Sequence, residues 1–84
     1  MISVKEAVAS AVEFARAMLG AAVADILLEE VEHSQEGPND VWLITLSVPG
    51  RTGLGVLGRD YKRFAVRADT GEVLSMKIRE LAGA

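Results

Sequence analysis

After Gly20 the spacing of apolar residues changes from three and four to two, and it does not change back. Up to that glycine Val4, Val8, Ala11, Val12, Ala15, Met18 and Leu19 recur at helical intervals, and Ala22 continues the spacing just past it. Ser3 and Glu6 form the pattern S-x-x-E just ahead of this run. There the serine hydroxyl caps a free amide and the glutamate reaches back to the serine amide. With Gly20 as the stop, the spacing predicts a helix over Val4–Leu19. One helix followed only by alternating runs excludes repeated strand–helix–strand units. It leaves an α+β domain with one N-terminal helix packed on a four-stranded antiparallel meander, order 1-2-3-4.

The strands are expected at four places. Asp25–His33 alternates imperfectly, with Ile26 and Leu28 on one face, Leu27 and Val31 on the other, and Glu29, Glu30 and Glu32 crowded toward its end. A bulge or a solvent-exposed edge strand accounts for that pattern. Ser34–Asp40 reads as a turn by composition. Val41–Val48 places Trp42, Ile44, Leu46 and Val48 on one face. Tyr61–Ala68 offers Phe64, Val66 and Ala68 to the core, and Glu72–Glu80 offers Leu74, Met76 and Ile78. A three-residue loop, Asp69-Thr70-Gly71, pairs Val66 with Leu74 and Phe64 with Met76, and it requires a left-handed Gly71. Arg63 then lies opposite Lys77, and Arg63, Arg67, Lys77 and Arg79 make a basic stripe on the other face.

The chain has 84 residues, no cysteine and a formal net charge of −3. That is one domain, 1–84, without disulfide or thiolate chemistry. Its longest uncharged stretches, Ala17–Ala24 and Val41–Gly50, fall well short of the roughly 20 residues of a membrane span. Lys5, Glu6, Glu13 and Arg16 interrupt the place where a signal peptide would carry its apolar core, so the expected compartment is the cytoplasm. Residues 1–40 hold eight acids and two bases, giving −6; residues 41–84 hold four acids and seven bases, giving +3. So mild an excess is not a nucleic-acid footprint, and neither nucleic acid nor membrane is expected as a partner.

The connector at 49–59 contains Gly53-Leu54-Gly55-Val56-Leu57-Gly58, which matches G-x-G-x-x-G letter for letter. A dinucleotide site needs a helix after that turn, so that backbone amides face the pyrophosphate. Here a strand and a hairpin follow. The composition predicts a flexible hairpin loop or an adaptable contact surface, since Leu54, Val56 and Leu57 are apolar in a segment expected to face water. His33 is the single histidine. Beside Glu30, Glu32 and Asp40 it makes at most a weak metal site, and no metal or cofactor is expected. Nucleophilic catalysis would need Ser10, Ser34, Ser47 or Ser75 against His33, because Ser3 is engaged as a cap.

The helix start Ile2-Ser3-Val4-Lys5-Glu6-Ala7 and the stretch Phe64-Ala65-Val66-Arg67-Ala68-Asp69-Thr70-Gly71-Glu72-Val73-Leu74 resemble a PepSY-like domain. In that family the strand–turn–strand ends in an aspartate, a small residue, a glycine and an apolar strand. The resemblance implies a helix followed by a meander and a non-catalytic binding or inhibitory role, often near peptidases or in the cell envelope. The chain departs from the family in its glycine-rich connector. A looser similarity is to accessory proteins of bacterial gas vesicles, which also run helix then strands.

The expected function is therefore a non-enzymatic protein-binding or regulatory module with a protein partner or a second copy as a homodimer. The expected contact residues are Leu54, Val56, Leu57, Arg63, Arg67, Lys77 and Arg79. The alternative is a small ligand-binding or enzymatic domain with a pocket between helix and sheet.

Overall fold

The computed structural model describes residues 1–49 and 59–78. Helix α1 spans Val4–Leu19, and the strands are β1 Leu27–Glu36, β2 Asn39–Pro49, β3 Arg59–Arg67 and β4 Val73–Ile78. They form one antiparallel sheet in the order β1-β2-β3-β4, with the helix on one face. The expected α+β architecture is the one observed.

The ends of α1 are those the sequence dictates. The Glu6 amide donates to Ser3 Oγ at 3.1 Å, and the Ser3 amide donates to Glu6 Oε1 at 3.2 Å. Gly20 closes the helix at φ 69°, and its amide donates to the Arg16 carbonyl. Val8, Ala11, Val12, Ala15 and Leu19 lie on the buried side as expected, and Ala7 and Phe14 join them. Ala7, Ala11 and Ala15 are fully buried against Ile44, Leu46, Phe64 and Val66, while Met18 is 64% exposed and Val4 is also exposed. A helix lying close on a sheet has room beneath its axis only for methyl groups, and larger side chains belong at its flanks. Val8, Val12, Phe14 and Leu19 occupy those flanks.

Strands β1 and β2 run further than expected. Ser34, Gln35 and Glu36 pair with Val41, Asp40 and Asn39, so the turn shrinks to Gly37-Pro38, with Gly37 at φ 60°. Positive φ at the first turn position followed by proline at the second suits a tight hairpin, and the polar residues before it remain extended. The expected bulge in β1 is present: the register shifts between Leu28 and Glu30. The extra residue Glu29 puts Leu28 and Val31 on the same face and not on the opposite faces that strict alternation predicts.

The last hairpin also departs from expectation. Its loop is one residue longer, since the Arg67 amide donates to the Glu72 carbonyl and the Gly71 amide donates to the Arg67 carbonyl, both at 2.8 Å. Val66 therefore faces Val73. A bulge at Leu74 then restores the expected pairs, Phe64 with Met76 and Arg63 with Lys77. Leu74 is 41% exposed and Ile78 is exposed as well, so of the three side chains expected in the core only Met76 packs there. The chain ahead of α1 is fastened to the sheet. The Ile2 amide donates to the Ala68 carbonyl at 2.6 Å, and Trp42 Nε1 donates to the Ile2 carbonyl at 3.3 Å.

Candidate functional site

The register orders the sheet into rows. On the helix side, Val31–Ile44–Phe64–Met76 is the central row, flanked by Leu28–Leu46–Lys62–Ile78 and by His33–Trp42–Val66–Val73. The helix lies over β2, β3 and β4, and β1 extends beyond it. The β1 members of these rows are accordingly exposed: Leu28 by 50% and Val31 by 39%. His33, also exposed, lies against Trp42 with ring centroids 5.1 Å apart. Among the described residues nothing pairs with the outer edge of β1.

On the opposite face the rows are Glu30–Thr45–Arg63–Lys77, Glu32–Leu43–Ala65–Ser75 and Leu27–Ser47–Tyr61. Acids stand on β1 and bases on β3 and β4, so the expected basic stripe shares its face with an acidic one. Arg63 does oppose Lys77, as expected, and its Nε is buried without a hydrogen-bond partner among the described residues. Arg67 is paired with Asp69: Nε sits 2.8 Å from Oδ1, off the hydrogen-bonding line, and Nη2 donates to Oδ2 at 3.2 Å. Leu54, Val56, Leu57 and Arg79 lie outside the described residues.

A polar cluster crosses this face at the start of β1. Arg59 Nε donates to Ser47 Oγ at 2.8 Å, and Ser47 Oγ donates to Glu29 Oε2 at 2.6 Å. Arg59 Nη2 also donates to the carbonyls of Ser47 and Asp25. A serine hydroxyl bonded to a carboxylate is the beginning of a nucleophile, but Ser47 has no exposed surface with which to meet a substrate. His33 stands on the other face, five residues further along the β2 register, so the two do not meet. The cluster instead fastens β1 to β2 and β3. Among the described residues no three His, Cys, Asp or Glu side chains converge as a metal site, and no helix is long and apolar enough to cross a membrane.

A hollow of about 650 Å³ lies under the C-terminal end of α1, walled by Met18, Leu19, Val48, Pro49, Asp60 and Lys62. It lies where the alternative reading expects a pocket. Asp60 and Lys62 face it because they pair with Val48 and Leu46; Asp60 lies outside the strand expected from Tyr61, whereas Lys62 shares the parity of Phe64 and Val66 and is readable from it. Its exposed wall at Met18 makes it a surface trough and not an enclosed cavity. Neither protein-family models, nor curated proteins, nor solved structures yield a match to this chain.

Proposed function

We propose that the protein is a non-catalytic protein-binding module that works through β1. The observation that carries this reading is the ledge left by the helix, where Leu28 and Val31 stand exposed along a ten-residue edge strand. Fully burying a Leu or Val side chain is worth roughly 1.5–3 kcal/mol. A small domain that leaves two of them half bare on a strand with no neighbour at its outer edge among the described residues forgoes stability that a partner restores. Edge strands with bare apolar side chains also recruit added strands, which gives the ledge both shape and hydrogen-bonding capacity. The binding role implied by the PepSY-like resemblance points the same way. Ser47, which among the described residues is the one serine besides the helix cap bonded to a carboxylate side chain, is sealed from substrate, which weighs against the enzymatic alternative.

A photo-crosslinking residue at position 28 tests the reading in the native host. The control is the same residue at Ala9, which is exposed on the outer side of α1. A discrete adduct at position 28 and none at position 9 is expected. Equal labelling at both positions, or none at position 28, overturns the reading.

A further inference from the structure

We infer that the hollow under the C-terminal end of α1 binds a small zwitterion with an apolar body, a free α-amino acid with an apolar side chain. This goes beyond the protein-binding reading above and does not rest on it.

Three observations converge. First, the hollow has the size and the lining of a small-molecule site. Its volume of about 650 Å³ lies within the roughly 300–1,000 Å³ of such sites, whose walls are mostly apolar with a few charged groups. Met18, Leu19, Val48 and Pro49 supply the apolar wall. Met18 is 64% exposed, so an apolar side chain laid against it removes from water a surface that the domain itself leaves bare.

Second, one part of the lining is negative. Asp25 and Asp60 belong to it, and neither carboxylate bonds to another described residue. The end of α1 adds to them. The Gly20 amide takes the Arg16 carbonyl, and the carbonyls of Ala17, Met18 and Leu19 accept no backbone amide among the described residues. A helix C-terminus carries about half a negative charge and favours cations. The Arg59 guanidinium, which reaches the Asp25 carbonyl, is held on the opposite face of the sheet by Ser47.

Third, a cation stands close by. Lys62 lies on the same face of β3 as Asp60, about 7 Å further along the strand, and among the described residues it forms no ion pair. Charge then selects the ligand. A plain amine would bring its ammonium toward Lys62. A plain carboxylate would meet the two aspartates and the helix carbonyls. A molecule with both signs on one carbon turns its ammonium to the aspartates and its carboxylate to Lys62, and leaves its side chain for Met18 and Leu19. Charge-assisted hydrogen bonds of this kind are roughly twice as strong as neutral ones.

The test uses the full chain, isotopically labelled, at neutral pH, with four probes. They are leucine, isopentylamine (leucine without its carboxylate), 4-methylpentanoate (leucine without its ammonium) and glycine, which lacks the apolar body. Leucine should give saturable amide shift changes at residues 19–22, Val48 and Lys62 and none at His33. Each of the other probes should bind about tenfold or more weakly. Asp60→Asn should weaken leucine and isopentylamine but not 4-methylpentanoate. Lys62→Met should weaken leucine and 4-methylpentanoate but not isopentylamine. Asp60 is exposed and Lys62 half-buried, so both variants should keep the fold, checked by circular dichroism.

Isopentylamine or 4-methylpentanoate binding as tightly as leucine would overturn the zwitterion, and glycine binding as tightly would overturn the apolar wall. Absence of saturable shifts at the hollow, or leucine binding that neither folded variant weakens, would overturn the site. None of these outcomes bears on the crosslink at position 28, so this inference and the protein-binding reading fail separately.

Discussion

Phe14 on the flank of α1 presents its ring at 75° to that of Phe64 on β3, with centroids 6.0 Å apart. Phe64 is fully buried and Phe14 is half-buried, so the pair carries the helix–sheet contact from centre to rim. Edge-to-face geometry adds about 0.5–1.5 kcal/mol beyond the area buried. Phe64→Ala should destabilise by roughly 3–5 kcal/mol, the range for truncating a buried aromatic. Against a total of roughly 5–15 kcal/mol for a domain, that is a large share. A double-mutant cycle with Phe14→Leu and Phe64→Leu in urea melts should return the coupling; additivity within error would show that the rings pack independently.

Ala11 lies at the centre of the alanine row beneath α1 and is fully buried. Ala11→Leu should cost about 1–3 kcal/mol through overpacking, although it raises hydrophobicity and gives up little helix propensity. Met18→Ala, on an exposed position, should change stability by less than about 0.5 kcal/mol. Thermal melts of the two variants test whether the buried face is the alanine row. A costly Met18→Ala beside a neutral Ala11→Leu would mean that it is not.

What was legible in the sequence follows from where one strong local rule acts alone. The capping box and Gly20 define α1 residue for residue, because both are short-range and chemically specific. The face of the helix is legible at Val8, Ala11, Val12, Ala15 and Leu19; the spacing adds Val4, Met18 and Ala22 at its ends, which the sheet does not reach, and omits Ala7 and Phe14. The far end of β1 was misread because Ser34, Gln35 and Glu36 are polar, and an edge strand beyond the helix has no core face to mark it. Register in the last hairpin was right at Phe64 and wrong at Val66, since a longer loop and a compensating bulge at Leu74 leave the distant pattern unchanged. The exposed ledge of β1 needed the extent of the helix across the sheet. No periodicity reports that.

Gly71 closes the last hairpin at φ 80°, and a Cβ there would lie 3.4 Å from Ser10 Oγ and 3.5 Å from Ile2 Cδ1. Both are ordinary contacts, so the obstacle is the backbone conformation and not space. Gly71→Val should cost at least about 1 kcal/mol, because a β-branched residue resists positive φ. Gly71→Asn should cost clearly less, since asparagine tolerates the left-handed region. Equal losses in chemical melts would point to crowding against Ser10 and would refute the conformational account.

Glu13 receives two bonds from Arg16, which hold its carboxyl below the ordinary carboxylate value, the hydrogen bond contributing more than the charge. A carboxyl with a folded value below its unfolded one stabilises above the unfolded value and loses that contribution as pH falls through the folded one. The pair is on the surface, so the effect on stability is slight and the titration itself is the readout. In carbon-detected NMR the Glu13 midpoint should rise in Arg16→Gln. An unchanged midpoint would mean that the pair does not persist in solution.

Arg59 opens β3 and reaches across β2 to the start of β1, donating to the Ser47 hydroxyl, the Ser47 carbonyl and the Asp25 carbonyl. The fork geometry of guanidinium is what allows one side chain to serve three acceptors on two segments. Hydrogen bonds to charged groups are worth about 1.5–3 kcal/mol each net of the exchange with water, less where the site is partly exposed, and among the described residues Ser47 Oγ would keep only Glu29 if the arginine were removed. Arg59→Met, which retains the apolar stem, should therefore destabilise by about 1–3 kcal/mol. Arg59→Lys keeps the charge but not the fork, and it should recover less than half of the loss. Because the fork joins the segment ahead of β1 to β2, the loss should be local before it is global. Hydrogen exchange should quicken at Leu27 and Leu28 in Arg59→Met while the amides of Ile44 and Phe64 stay protected. Full recovery by lysine would reduce Arg59 to a charge, and uniform exchange across the sheet would show that β1 does not depend on it.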